Sequence, residues 1–261
     1  IADIAAKALA PASVLRIDLQ PLDAAGTTKL LGTLFRQGAL PRASRERIAE
    51  RAGGNPLYVE ELLRSLIEQG AVEVTDDGLR ATAAIESMVV PATVQEVILS
   101  RVDHLGPRRK QALQIAAVIG QRVAEPVLSD IVTEPATLPA VLDELVEAQL
   151  LLSEMHGEVR YFTFKHRLIQ DVTYESMLET RRAELHRQVG QVIERRMPGA
   201  PGFHGMLAYH YSMGNDLARA EEELFLAGDD AARAGAPVEA LELLQEASRL
   251  YLARHPGGGD P

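Results

Sequence analysis

Apolar residues recur every three or four positions along most of this chain. That pattern predicts helices, interrupted by a few short alternating runs that predict strands. Leu57, Leu62, Leu63, Leu66 and Ile67 form one helical stripe, opened by Asn55-Pro56 and closed by Gly70. Asn55 can cap, Pro56 fits the first helical position where its missing N–H costs nothing, and Glu60 and Glu61 lie near the positive end of the dipole. Upstream, Asp23 is expected to cap a helix holding Leu30, Leu31 and Leu34, and Ser44 another with Ile48 turned inward. Val14–Leu19 alternates as a short strand closed by Gln20-Pro21. Val72-Glu73-Val74 and Gly78-Leu79-Arg80 read as a hairpin around Asp76-Asp77-Gly78.

A new unit begins at Pro91. A helix from Thr93 carries Val94, Val97, Ile98 and Val102 to the Gly106-Pro107 turn, and a second runs from Arg108 to Ile119. A short helix follows around Val127 to Val132, then a longer one from Leu138 to Gln149. Leu150-Leu151-Leu152 and Val159 to Phe164 flank His156-Gly157 as strand, turn and strand. Helices followed by a two-stranded wing spell a winged-helix domain. Winged helices often bind DNA, but the segment in the recognition position carries Asp143, Glu144 and Glu147 and no Lys or Arg. Those carboxylates would repel phosphates. The unit is therefore expected to contact protein rather than DNA.

Past the wing, Arg181 to Met197 is amphipathic, with Leu185, Val189, Val192 and Ile193 on one side. His204-x-x-Leu207-Ala208-x-x-Tyr211 and Ala220-x-x-x-Leu224-x-x-Ala227 have tetratricopeptide spacing, with small residues where helices touch. A second Ala240-x-x-x-Leu244-x-x-Ala247 follows at a shortened offset, so the repeat is degenerate. Gly214-Asn215-Asp216 and Gly235-Ala236-Pro237 are the expected turns between antiparallel helices. The expected fold class is mainly α: a helical first part, a winged helix with a small β-wing, then antiparallel helical repeats.

Composition narrows the function classes. Twenty-seven basic and 37 acidic residues give a net charge of −10, which disfavours nucleic acid and anionic membranes as partners. The chain has no cysteine, which excludes disulfides and thiolate metal sites and makes a cytoplasmic protein the simplest expectation. No apolar run approaches the ~20 residues of a membrane-spanning helix. The sequence opens in mid-pattern without a methionine and ends in Gly257-Gly258-Gly259 before any polar capping helix. An internal fragment of a larger protein, stopping inside a solenoid, is expected. There is no Gly-x-x-x-x-Gly-Lys-Ser/Thr loop, no His-Glu-x-x-His and no Gly-x-Ser-x-Gly, so no catalytic residue is assigned. No metal site is assigned either, since His204 and His210 lie six apart, off the spacing that places two ligands on one helix face.

The Gly54-Asn55-Pro56-Leu57 turn resembles the lid of the STAND class of AAA-like signal-transduction ATPases. The likeness is closest to the version beside bacterial class III nucleotide cyclases and in large transcriptional regulators. It extends over nearly the whole chain through the order strand, Gly-Asn-Pro-Leu helix, winged helix, Phe164-Lys165-His166-Arg167-Leu168 and repeats. It implies that residues 1–20 end a nucleotide-binding core, 21–90 form the lid, 91–180 the winged helix, and 181–261 a linker helix and tetratricopeptide-like repeats. It also implies nucleotide-binding roles for Asn55, Pro56 and Leu57, with Pro56 against adenine, and for His166 towards the phosphates of ADP.

His166 stands where related switch ATPases place a methionine–histidine–aspartate motif, from which this sequence departs in Lys165 and Arg167. Taken by itself, His166 is a half-buried histidine at a strand–helix junction, bonded to the backbone. The ligand implied is ATP or ADP, with magnesium bound mainly outside this fragment. The partners implied are the protein's own nucleotide-binding core and a protein or small-molecule signal on the repeats, with a cyclase or DNA-binding output elsewhere. The rival expectation is a nucleotide-free adaptor built from a winged helix and helical repeats.

Overall fold

Capping chemistry fixes where the first helices start. In the computed structural model, which describes residues 18–35, 40–76, 78–86 and 88–256, helix α1 spans Ala24–Leu34. The Gly26 N–H donates to Asp23 Oδ1 at 2.6 Å, so Asp23 caps as expected. Helix α2, Arg42–Ala52, differs from expectation. Its cap residue is Pro41, and Ser44 lies buried within the helix. The Pro41 carbonyl already accepts the first helical bond from Arg45 N–H at 3.0 Å, and its ring turns Leu40 away from helical geometry. Gly53 and Gly54, at φ 53° and 77°, end α2 and aim the chain into α3, Pro56–Glu68.

Two compact units divide the chain, Ile1–Val97 and Ile98–Pro261. In the first, strands β1 (Val72–Thr75) and β2 (Gly78–Ala81) pair antiparallel, with Val72 opposite Ala81 and Thr75 opposite Gly78. Asp77 of the expected turn lies outside the described residues, as do residues 14–17 of the expected strand Val14–Leu19. Asp18 and Leu19 belong to no strand. The core of this unit gathers Leu31, Ile48, Leu62, Leu66, Val72 and Ile85. Helix α4, Val94–His104, begins on a reciprocal cap. Thr93 Oγ1 accepts from Glu96 N–H at 3.1 Å, while Glu96 Oε2 accepts from Ala92 N–H at 2.7 Å.

The division between units falls inside α4. The second unit continues with α5 (Pro107–Ile119), β3 (Arg122–Ala124), α6 (Glu125–Ser129), α7 (Leu138–Glu147), β4 (Leu151–His156) and β5 (Val159–Phe164). Strands β4 and β5 are the expected wing. The three residues of β3 are an addition: Arg122 lies opposite Thr163 and Ala124 opposite Tyr161, giving a sheet of order β3-β5-β4. A run of three residues is too short for an alternating pattern to show, so only pairing with β5 makes it a strand. Buried Arg101 donates to Ala148 O at 2.7 Å, satisfying a carbonyl just past the end of α7, and Gln149 turns away at φ 56°.

Helices α8 (Arg167–Glu175), α9 (Glu179–Arg196), α10 (Phe203–Met213), α11 (Leu217–Arg233) and α12 (Pro237–Arg254) complete the unit. From α9 onward each helix packs on the next. Leu207, Ala208 and Tyr211 are buried on α10, Ala220, Leu224 and Ala227 on α11, and Ala240 and Ala247 on α12. Close approach needs glycine at two of these contacts. A Cβ on Gly190 would meet the Tyr211 ring at 2.9 Å, and one on Gly228 would meet Leu244 Cγ at 2.8 Å. The fold is thus mainly α with two small antiparallel sheets and a run of helical repeats. No helix among the described residues is long and apolar enough to cross a membrane.

Candidate functional site

The first turn of α3 is held rigidly from both sides. Asn55 Oδ1 accepts from Leu57 N–H at 3.0 Å, and the ring of Pro56 occupies the first helical position. Within that turn, Tyr58 is buried and donates its hydroxyl to Pro91 O at 2.5 Å. Burial pushes that phenol up to about 12, so it stays protonated and remains a donor. Asn55 and Pro56 themselves are exposed and Leu57 is half-buried.

Pro56 borders a cavity of about 400 Å³ whose wall includes Leu30, Leu34, Val59, Leu63 and Leu79. Two charged residues share that wall, Glu60 and Arg64, paired at 3.1 Å. Arg64 Nε is buried without a hydrogen-bond partner. The site therefore offers a largely apolar slot with one ion pair on its wall.

His166 is the cap residue of α8, in extended geometry at φ −135° and ψ 139°. Its side chain makes no capping bond, and Nε2 is buried without a partner. The expected bond from this ring to the backbone is therefore not made among the described residues. Asn55, Pro56 and Leu57 share one helix start in the first unit, and His166 belongs to the second.

Two comparisons bear on this chain. Residues 38–80 match the family described as a domain of unknown function, DUF8739. That stretch contains the Gly54-Asn55-Pro56-Leu57 turn, α3 and all of the β1–β2 hairpin except Ala81. The chain is also similar to the uncharacterized protein R02095 of Rhizobium meliloti (strain 1021), at 28% identity over 248 residues. The aligned part covers 92% of this chain and 23% of the relative, so the chain spans less than a quarter of that protein's length.

The acidic face of α7 is balanced by cations that the helix itself does not carry. Asp143 pairs with Arg160 of β5 at 2.7 Å and Glu144 with Arg109 of α5 at 3.5 Å. Nearby, Arg108 pairs with Glu134 at 2.6 Å and Arg122 with Glu154 at 2.9 Å. The basic residues around this helix are thus already committed to carboxylates.

The second unit also contains a polar cluster that sequence reasoning missed. His186 of α9 and His210 of α10 are both buried, their Nδ1 atoms 3.0 Å apart, and Tyr174 Oη lies 3.0 Å from His186 Nε2. Burial, with Arg182 nearby, pushes His186 down to about 4. Burial and His186 push His210 down to about 3. Both rings are neutral at pH 7. The histidines are 24 residues apart, and no spacing rule within one helix pairs them.

Proposed function

We propose that this chain is the lid, winged-helix and first-repeat portion of a nucleotide-switched signalling ATPase of the STAND kind, working in the cytoplasm. One observation carries the reading above the others. Pro56, fixed at the first position of α3 by the Asn55 cap, borders a largely apolar slot of about 400 Å³. An adenine ring has an apolar face that suits such a slot. The family resemblance alone assigns His166 the phosphate-facing role. The phosphate-cradling loop and most of the magnesium site belong to the nucleotide-binding core outside these residues. Exchange of ADP for ATP then shifts the protein between closed and open states by the difference in affinity for the two. A cyclase or transcriptional domain is the proposed output, and the repeats take the signal.

The test uses the full-length protein. Pro56→Ala and His166→Ala are each expected to weaken ADP retention by at least about tenfold, which is ~1.4 kcal/mol, and to raise basal output. His104→Ala is the control and is expected to change neither. Unchanged ADP occupancy in both variants would remove the nucleotide role from these residues.

The adaptor reading is favoured by one feature, the exposed Phe225, Leu241, Tyr251 and Leu252 on α11 and α12. It predicts a protein that purifies free of nucleotide. A DNA-binding role through α7 is disfavoured by its paired carboxylates. The 261-residue chain is expected to retard duplex DNA no more than an acidic control protein at low micromolar concentration. Salt-sensitive retardation would restore the DNA reading.

A further inference from the structure

A cavity of about 710 Å³ lies within the second unit, bounded by strands β3 and β5 and by helices α6, α9 and α10. That size is inside the ~300–1,000 Å³ range of small-molecule sites. Much of its wall is apolar, including Ile119, Val127, Val159, Ile193 and Met206. Among the described residues the charged members of the wall are Arg122 and Arg196, and no Asp or Glu joins them, although the chain as a whole carries −10. Both guanidinium groups are fixed from behind. Arg122 Nε donates to Glu154 at 3.0 Å and its ring-facing side stacks on Tyr161 at 4.1 Å, while Arg196 makes two 2.6 Å bonds to Asp130. An arginine has five N–H donors, so these bonds leave others unspent.

His210 completes the wall and is 3% exposed. Its Nδ1 faces His186, which does not line the cavity, so Nε2 is the ring nitrogen left to the cavity. Nε2 has no hydrogen-bond partner among the described residues. The proton arrangement follows from the chain of contacts. Tyr174 Oη has no other hydrogen bond among the described residues, and as the donor it makes His186 Nε2 the acceptor. The His186 proton then sits on Nδ1 and is donated to His210 Nδ1, which places the His210 proton on Nε2. The cavity is thus an apolar chamber with one buried N–H donor and two anchored cations.

We propose that this cavity binds a small monocarboxylate with an apolar body, its oxygens accepting from His210 Nε2 and from an Arg122 or Arg196 guanidinium. The carboxylate matches the sign of the wall, and the apolar body matches the remainder. A neutral alcohol of the same length would fill the chamber but offer those remaining N–H donors no charged acceptor. This site is separate from the nucleotide slot beside Pro56 and does not depend on it.

The experiment is calorimetric titration of the 261-residue chain at pH 7 with octanoate, decanoate and phenylacetate, each beside the corresponding alcohol. At least one acid is expected to bind with a Kd below about 1 mM, and about tenfold or more tighter than its alcohol. Gly205 lines the cavity on α10, and a Cβ added there meets nothing within 4 Å. Gly205→Phe is therefore expected to fold normally, occupy the chamber and weaken the acid at least about tenfold. His210→Phe removes the donor and should weaken the acid similarly. Should that variant fail to fold, the Gly205→Phe result decides. Three results would overturn the proposal: no acid binding at millimolar concentration, equal binding of acid and alcohol, or unchanged binding in Gly205→Phe.

Discussion

Lowering the pH from 6.5 to 5 is expected to strip about 2–4 kcal/mol of stability from the second unit, through His186 and His210. In the folded state these rings are held down to about 4 and about 3, against 6.5 for an ordinary histidine. Below pH 6.5 the unfolded chain binds protons that the folded chain refuses. Stability therefore falls as pH falls, until the folded pKa values are reached. The carboxylates act in a different window. The Arg196 guanidinium holds Asp130 below its ordinary value, and Arg187 with Gln188 does the same for Glu184. Their contribution is intact above about pH 4 and lost only below it.

Urea denaturation at half-unit intervals from pH 7 to 4.5 measures the effect, and the replacement His186→Phe with His210→Leu should flatten the curve. Two imidazoles that remain neutral by NMR at pH 5.5 would accompany it. A stability curve already flat over that interval in the unaltered chain would mean that the folded protein accepts the protons.

Gly54→Ala is expected to destabilise the first unit by about 2–4 kcal/mol, whereas its neighbour Gly53→Ala should cost about 1–2 kcal/mol. Both glycines have positive φ, at 77° and 53°, so an alanine at either pays the left-handed cost. They differ in what surrounds them. A Cβ on Gly53 meets nothing within 4 Å, but one on Gly54 falls 2.1 Å from Leu22 O and 2.9 Å from Leu22 N. Both atoms are backbone, so the strand of chain before α1 must move away. The Leu22 N–H to Gly54 O bond of 2.8 Å is lost with it. Gly53→Asn, tolerant of the left-handed region, should be milder still. Comparing the denaturation midpoints of the three variants checks the order. A Gly54→Ala protein as stable as Gly53→Ala would show that the Leu22 segment yields freely.

Local chemistry set the starts and stops that the sequence revealed by itself. Asp23, Asn55-Pro56 and Thr93 act on N–H groups two or three residues away, so the residues that cap are visible beside the residues they cap. The buried stripes of α3, α10 and α11 were legible for the same reason, since a 3.6-residue period is a property of consecutive positions. Ser44 misled because a better start, Pro41, lay three residues upstream, and both were compatible with the same stripe.

Packing between distant segments decided the rest. Strand β3 exists because β5 pairs with it 37–41 residues later. The acid charges of α7 meet Arg109 and Arg160 from other elements, which no helical projection contains. Arg101 is buried because a carbonyl 47 residues further on accepts its proton. The pairing of His186 with His210, and the cavity that His210 lines, follow from how α9 seats on α10. Gly190 meets the Tyr211 ring at that contact, and its small size is written in the sequence while its partner is not. A helix period fixes which face is buried, while the residue met on that face depends on the register of two helices, which only tertiary packing sets.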